Sequence, residues 1–159
     1  MIGTDHRLTG ADRGTRNIDD PHFGRMVEQL IEQKALDFVF EEATGLGPTT
    51  ASRIALDRLG PEHYLDVDPP RNRRHEFGIP ADTGKHYAIG SPPDIEYATW
   101  EFLDVQALRE KLWLQQVMNQ EFEKALMICG SLHMSSFASR LQSNGFEVEA
   151  ISYLPAGKL

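Results

Sequence analysis

The chain alternates short apolar segments with segments of helical periodicity, and this alternation restricts the folds that it can adopt. Apolar runs at 36–40, 63–68 and 125–129 are typical of strands, and shorter or alternating runs at 1–2 and 146–150 bring the set to five. Residues with one-face helical spacing fill most of the intervals. Strands separated by helices form parallel sheets. We therefore predict a three-layer α/β fold, with a mostly parallel sheet of about five strands and helices on both faces.

Capping residues predict where the helices begin and end. The first helix starts at Asp19-Asp20-Pro21 and ends near Lys34-Ala35, and Thr49 or Thr50 caps a second helix that runs to about Leu59. A third helical region spans 94–123, in two pieces broken near Asp104, and a fourth spans 135–143 and stops at Asn144-Gly145. Right-handed crossovers then favour the strand order 3-2-1-4-5.

One stretch departs from this periodicity. Residues 69–93 hold five of the nine prolines and few regularly spaced apolar residues. We predict a long loop that serves as a lid, inside a single domain that spans residues 1–159. The basic run Arg71-Asn72-Arg73-Arg74-His75 within it suits a substrate carboxylate or phosphate, or is a solvated turn.

The composition restricts the partners and the compartment. A net charge of −8 argues against general binding to nucleic acid or to anionic membranes. No window approaches the roughly 20 apolar residues of a membrane span, and the start lacks the pattern of a secretory signal. The single cysteine, Cys129, lies in an apolar strand and is predicted to be a buried structural thiol. We expect a cytoplasmic protein.

A four-residue pattern, Gly-x-x-His, follows both the first and the fourth predicted strands. It reads Gly3-Thr4-Asp5-His6 in one place and Gly130-Ser131-Leu132-His133 in the other, while Glu41-Glu42 follows the second strand. Parallel strands place all these turns at the carboxyl edge of the sheet, where open α/β folds bind ligands. In the favoured strand order, His6 faces His133, with Glu41 or Glu42 one strand away.

Imidazoles and carboxylates at one edge have two chemical uses. His6, His133 and Glu41 could hold a divalent transition metal that activates water. Without a metal, one histidine could act as general base, oriented by a glutamate. The structural alternative is that each histidine is a solvated or capping residue. Side chains alternate along a strand, so only one glutamate of the pair faces the site, and we favour Glu41 over Glu42. Three aspartates are further acidic candidates at this edge: Asp5, Asp66 and Asp68.

These motifs resemble the superfamily that joins the erythromycin esterases, the ChaN-like proteins and the TraB and TIKI group. Its members share an α/β core with paired Gly-x-x-His motifs and a glutamate, and their activities include esterase, metal-dependent protease and heme binding. The resemblance implies that His6, His133 and Glu41 or Glu42 are site residues, with Arg109 as an additional one.

We therefore expect a hydrolase, with either a metal or a histidine activating the water, that acts on an ester or amide bond of a small molecule or peptide. The alternative is a non-catalytic protein that binds a small ligand, a metal or heme in the same pocket. A third class is an interaction module in which an aromatic helix face pairs two chains as a homodimer. The apolar residues of that helix, expected in the core or at a dimer contact, are Trp100, Phe102, Leu103, Leu108, Leu112 and Trp113.

Overall fold

The computed structural model describes residues 1–4, 20–43, 47–79 and 95–153. The described chain contains five strands, four α-helices and three 3₁₀ segments. The strands are β1 (Ile2–Thr4), β2 (Phe38–Glu41), β3 (Tyr64–Asp66), β4 (Ala125–Gly130) and β5 (Ile151–Ser152). The helices are α1 (Pro21–Lys34), α2 (Thr50–Arg58), α3 (Ile95–Met118) and α4 (Met134–Ser143). The 3₁₀ segments are Pro61–His63, Arg71–Phe77 and Ser131–His133.

All five strands are parallel and form one sheet in the order β3-β2-β4-β1-β5. The predicted order 3-2-1-4-5 is wrong at its centre, because β4 rather than β1 lies beside β2. β4 is therefore the middle strand of the five, and its last five residues are all buried. The middle strand of a parallel sheet is covered on both faces, which suits its apolar sequence.

The helices cover both faces of the sheet, so the predicted three-layer α/β fold is confirmed. On one face, α1 and α2 pack on strand residues such as Val39, Leu126 and Ile128. On the other face, α3 and α4 pack on residues such as Phe40 and Met127. Successive residues of β2 and β4 therefore enter different cores, as the alternation of side chains along a strand requires.

Local capping chemistry sets the first two helices as predicted. The side chain of Asp20 accepts hydrogen bonds from the first turn of α1, Pro21 occupies its first position, and Ala35 ends it in the left-handed region at φ 49°. Thr49 and Ser52 form a reciprocal capping box at the start of α2.

The structure corrects or completes three predictions for the chain after residue 68. The helix predicted to break near Asp104 is continuous, since α3 runs unbroken from Ile95 to Met118. The last strand is Ile151–Ser152 and not 146–150, because the backbone of β1 pairs with Ile151 and Ser152. The predicted loop 69–93 contains the 3₁₀ segment Arg71–Phe77, and its residues 80–93 lie outside the described residues. Within the described chain, no helix has the length and hydrophobicity needed to cross a membrane.

Candidate functional site

The carboxyl ends of β2 and β4 meet at the centre of the sheet. The side chain of Glu42, just beyond β2, accepts a 2.7 Å hydrogen bond at Oε2 from the backbone N–H of Gly130, the last residue of β4. The helices that follow these two strands leave on opposite faces, since α2 packs in one core and α4 in the other. Open parallel sheets bind their ligands where the helices that follow two neighbouring strands leave on opposite faces.

A buried arginine from α3 occupies this place. Arg109 donates from Nη2 to Oε1 of Glu42 and from Nε to Oδ1 of Asp68, the latter at 2.9 Å. Burial opposes its charge, but Glu42 and Asp68 outweigh that effect and raise the pKa of Arg109. The guanidinium is therefore a permanent cation fixed between two carboxylates.

Asp68 connects this arginine to two further side chains. The indole Nε1 of Trp113 donates to its Oδ1 at 3.1 Å, and Arg74 donates to its Oδ2. The guanidinium carbon of Arg109 also lies 5.0 Å from the centre of the Trp113 ring. Burying several charged side chains costs stability unless each of them has a partner. The buried charge network formed by Arg109, Glu42, Asp68 and Arg74 at the edge of the sheet therefore indicates a functional site.

His133 lies against the same network, just after β4. Its Nδ1 is 2.9 Å from Oε1 of Glu110, and its Nε2 is 3.2 Å from Nη1 of Arg109. A guanidinium N–H can only donate, so Nε2 is the acceptor and the imidazole proton belongs on Nδ1. The ring is 1% exposed, and its centre lies 4.6 Å from that of Trp113 in an edge-on arrangement. The network therefore specifies a neutral imidazole with its lone pair on Nε2.

Glu110 holds His133 in that orientation. Burial alone would raise the pKa of Glu110, but hydrogen bonds from His133, Ser136 and Arg140 outweigh burial and lower it. The Oγ of Ser136 lies 2.5 Å from Oε1, and Nε of Arg140 lies 2.9 Å from Oε2. An ionised carboxylate on Nδ1–H is the usual device that fixes the tautomer of a basic histidine.

Glu41 belongs to a separate polar group on the α2 side of the sheet. Its Oε2 accepts from the hydroxyls of Thr49 at 2.6 Å and Tyr64 at 3.0 Å. Its Oε1 is buried and finds no hydrogen-bond partner among the described residues. Burial, only partly offset by these hydrogen bonds, raises the pKa of Glu41 to about 7. Burial likewise raises the pKa of Asp66, its register partner on β3, to about 7.

The structure brings together three of the five predicted site residues. Glu42, Arg109 and His133 meet, with Nε2 of His133 3.7 Å from Oε1 of Glu42. Glu41, which we favoured over Glu42, lies instead with Thr49 and Tyr64. His6 and its neighbour Asp5 lie outside the described residues.

The glycine of the first Gly-x-x-His motif lies close to the start of α4. A Cβ on Gly3 would lie 2.6 Å from Sδ and 3.2 Å from Cβ of Met134, the first residue of α4. A side chain at this position would therefore require the Met134 side chain to shift.

The divalent metal predicted at His6, Glu41 and His133 stays a prediction, because His6 lies outside the described residues. Among the residues that the structure describes, no three His, Cys, Asp or Glu side chains form a group that could hold one. Of the predicted ligands His6, Glu41 and His133, the last two contact different helices on opposite faces of the sheet. A cation beside Glu42 and His133 would also meet the guanidinium of Arg109, which already supplies the positive charge there.

Glu110 and Trp113 were not predicted to be site residues. Glu110 directly follows the predicted Arg109, and Trp113 lies one helical turn after it, at the i,i+4 spacing that brings side chains together. That spacing was the available signal, since it places Trp113 on the buried side of α3 with Arg109. Asp68, predicted only as a further acidic candidate, is the central acceptor of the network.

Two smaller predictions concern buried side chains. Cys129 is fully buried, as predicted, and burial raises the pKa of its thiol. Trp113 is also fully buried inside the chain, so it contributes to the core and not to an exposed dimer contact.

The chain matches no protein-family model, no curated protein and no solved structure. The resemblance to the erythromycin esterase superfamily stays a prediction.

Proposed function

We propose that this protein is a hydrolase that cleaves an ester or amide bond, with His133 as its general base. The observation that carries the proposal is the buried contact of 2.9 Å between Nδ1 of His133 and Glu110, which leaves Nε2 facing the Arg109–Glu42 pair. A carboxylate, an imidazole and a fixed cation are sufficient parts for metal-independent hydrolysis.

The reaction would run through Nε2 of His133. Nε2 takes a proton from a water molecule as the water oxygen attacks the carbonyl carbon, and the carbonyl oxygen becomes an oxyanion. When the intermediate collapses, the proton on Nε2 passes to the leaving oxygen or nitrogen, so the imidazole returns to its neutral form. Glu110 stabilises the imidazolium that exists between the two transfers.

Arg109 would stabilise the oxyanion. Its Nη1 donates to Nε2 at 3.2 Å in the closed site, while Glu42 and Asp68 bind its Nη2 and Nε. Opening of the site must separate Nη1 from Nε2, which frees the lone pair of Nε2 for the proton and an N–H of Nη1 for the oxyanion. A donor held by two carboxylates needs little reorganisation as negative charge develops, which is the main source of electrostatic catalysis. The 1% exposure of His133 means that the cover of the site must open before a substrate can reach Nε2.

The test is hydrolysis of p-nitrophenyl esters and of a mixed peptide library, with the metal chelator EDTA present throughout. We expect turnover by the unmodified chain and a loss of about 10²-fold or more in His133→Gln. The matched control is His63→Gln, because His63 is an exposed histidine on a 3₁₀ segment. Equal rates for the unmodified chain and His133→Gln would refute the proposed role of His133.

One observation favours a second candidate, non-catalytic binding of a small anion. Nε of Arg74 is buried and has no hydrogen-bond partner among the described residues, although buried donors are normally partnered. Titration with inorganic phosphate or acetate would then show binding that Arg74→Gln removes and Arg73→Gln preserves. Arg73 is a suitable control, since its exposed guanidinium pairs with Glu76 at 2.8 Å. Binding without turnover of any ester or peptide would favour this candidate over hydrolysis.

A further inference from the structure

One buried arginine of the charge network has a donor without an acceptor. Arg74 is only 6% exposed, whereas its neighbours Arg73 and His75 are exposed. Its Nη2 donates to Oδ2 of Asp68, but its Nε is buried and finds no acceptor within the described part of the chain. A buried donor in this state destabilises a fold, so its presence beside a candidate site indicates that a ligand supplies the acceptor.

The local backbone fixes Arg74 in this position. It belongs to the 3₁₀ segment Arg71–Phe77, which Gly78 ends in the left-handed region at φ 69°. The N–H of Ile79 donates to the carbonyl of Arg74 at 3.0 Å, and the side chain of Ile79 is 1% exposed. The segment is therefore anchored directly after Arg74, and the ion pair with Asp68 holds the guanidinium. A cation held in this way loses little further freedom when a ligand binds.

Asp68 connects Arg74 to the groups that we assign to the reaction. Its Oδ2 accepts from Arg74, and its Oδ1 accepts from Nε of Arg109 at 2.9 Å. Hydrogen bonds to the two oxygens of one carboxylate place the bonded nitrogens of the two arginines within about 8 Å of each other. Nη1 of Arg109 in turn contacts Nε2 of His133. A ligand group on Arg74 would therefore lie only a few bond lengths from the reacting carbonyl.

A carboxylate is the acceptor that best suits this guanidinium. Hydrogen bonds from an arginine to a carboxylate are shorter and stronger than those to a neutral acceptor. Arg74 and Arg109 already pair with two buried carboxylates, so the positive and negative charges of the network balance. A carboxylate adds one negative charge to this balanced set, whereas a phosphate group adds up to two. The larger charge costs more in a buried site, which favours the carboxylate.

We propose that the substrate is an ester or amide with a carboxylate near its scissile carbonyl, and that Nε of Arg74 binds this carboxylate. The half-esters and half-amides of short dicarboxylic acids have this chemistry. The inference rests on the proposed hydrolase and names its substrate class. It differs from simple anion binding, because the bound carboxylate and the reacting carbonyl belong to one molecule. Arg74 would then determine specificity, since binding at an unreactive part of a substrate positions the part that reacts.

The probe is glutaryl-p-nitroanilide, in which a short methylene chain of about 5 Å separates the carboxylate from the anilide carbonyl. The matched control compound has a terminal carboxamide in place of the carboxylate, so it has the same length and no charge. Release of p-nitroaniline by the full chain is measured with EDTA present. We expect kcat/KM for the acid to exceed that for the carboxamide by about tenfold or more. This comparison uses the unmodified chain and does not depend on the folding of any variant.

Two variants assign the preference to one arginine. Arg74→Gln removes the buried cation and should reduce the ratio of the two kcat/KM values to near one. Arg73→Gln should keep the ratio of the unmodified chain, because Arg73 is exposed and pairs with Glu76. A ratio that is equally high in Arg74→Gln and in the unmodified chain would overturn the role of Arg74.

The outcomes separate this inference from the hydrolase proposal. Cleavage of both anilides with equal kcat/KM would overturn the inference and leave the hydrolase intact. If neither anilide is cleaved, both are titrated as ligands into the unmodified chain by isothermal titration calorimetry. Tighter binding of the acid by about tenfold, lost in Arg74→Gln, would support the carboxylate site even if no ester or peptide is hydrolysed. Equal binding of the two compounds, or binding of neither, would overturn it.

Discussion

Replacement of Arg109 by methionine tests the energetic role of the charge network. The substitution keeps much of the side-chain volume but removes the cation from two carboxylates that are 0–1% exposed. Asp68 retains Arg74 and the indole of Trp113, so the loss falls mainly on Glu42, which keeps the N–H of Gly130. Breaking one buried pair from a single side costs about 3–5 kcal/mol.

Urea denaturation followed by far-UV circular dichroism would measure this loss as a lower free energy of unfolding. In thermal unfolding, the same loss corresponds to a decrease of about 6–20 °C in the Tm of a chain of this size. Adding Glu42→Gln to Arg109→Met removes the charge of the Glu42 carboxylate and should recover a substantial part of the loss, as a double-mutant cycle would show.

The matched control is Arg140→Met. Arg140 also pairs with a buried carboxylate at 2.9 Å, that of Glu110, but its own side chain is 39% exposed. Its removal should cost no more than about 1 kcal/mol, because solvent screens an exposed partner. A loss for Arg109→Met no larger than that for Arg140→Met would refute the argument that burial sets the cost.

Three further predictions concern other buried groups. Because the pKa of Glu41 is raised to about 7 in the folded chain, stability should fall as the pH rises from about 4.5 through 7. Glu41→Gln should therefore match the unmodified chain near pH 4 and exceed it at pH 8.5 by up to about 3 kcal/mol in urea titrations, and equal stability at pH 8.5 would contradict this. Thr49→Ala removes the cap of α2 and a hydrogen bond to Glu41, so we expect a loss of about 1–2 kcal/mol that Thr49→Ser largely avoids. The buried thiol of Cys129 should react with Ellman's reagent only as fast as the chain unfolds, and rapid labelling in native buffer would show that it is accessible.

The network also explains why a buried arginine is compatible with the interior of this fold. Each nitrogen of Arg109 has an acceptor: Asp68 at Nε, Glu42 at Nη2, and Gln106 and His133 at Nη1. A guanidinium with an acceptor at every nitrogen avoids most of the cost of burying a charge. The same hydrogen bonds hold the imidazole and the carboxylates in one arrangement, which a preorganised site requires.

The boundaries of the first two helices could be predicted because their causes are local. Asp20 and Pro21 start α1, and Thr49 starts α2, through hydrogen bonds that reach only a few residues along the chain. The break expected near Asp104 was wrong for a related reason. An acidic residue within a helix lowers its propensity only slightly, and the packing of a long helix outweighs that effect.

By itself, the sequence determined the α/β class, the position of β2 and β4, and the presence of polar residues at their carboxyl ends. These follow from short-range periodicity and capping. Only the tertiary structure decided that β4 lies beside β2, and that Glu42 rather than Glu41 meets Arg109 and His133. Strand order depends on which strands pair with one another, and a side chain's face depends on strand register. Both are set by contacts between residues far apart in the chain, which no local pattern encodes.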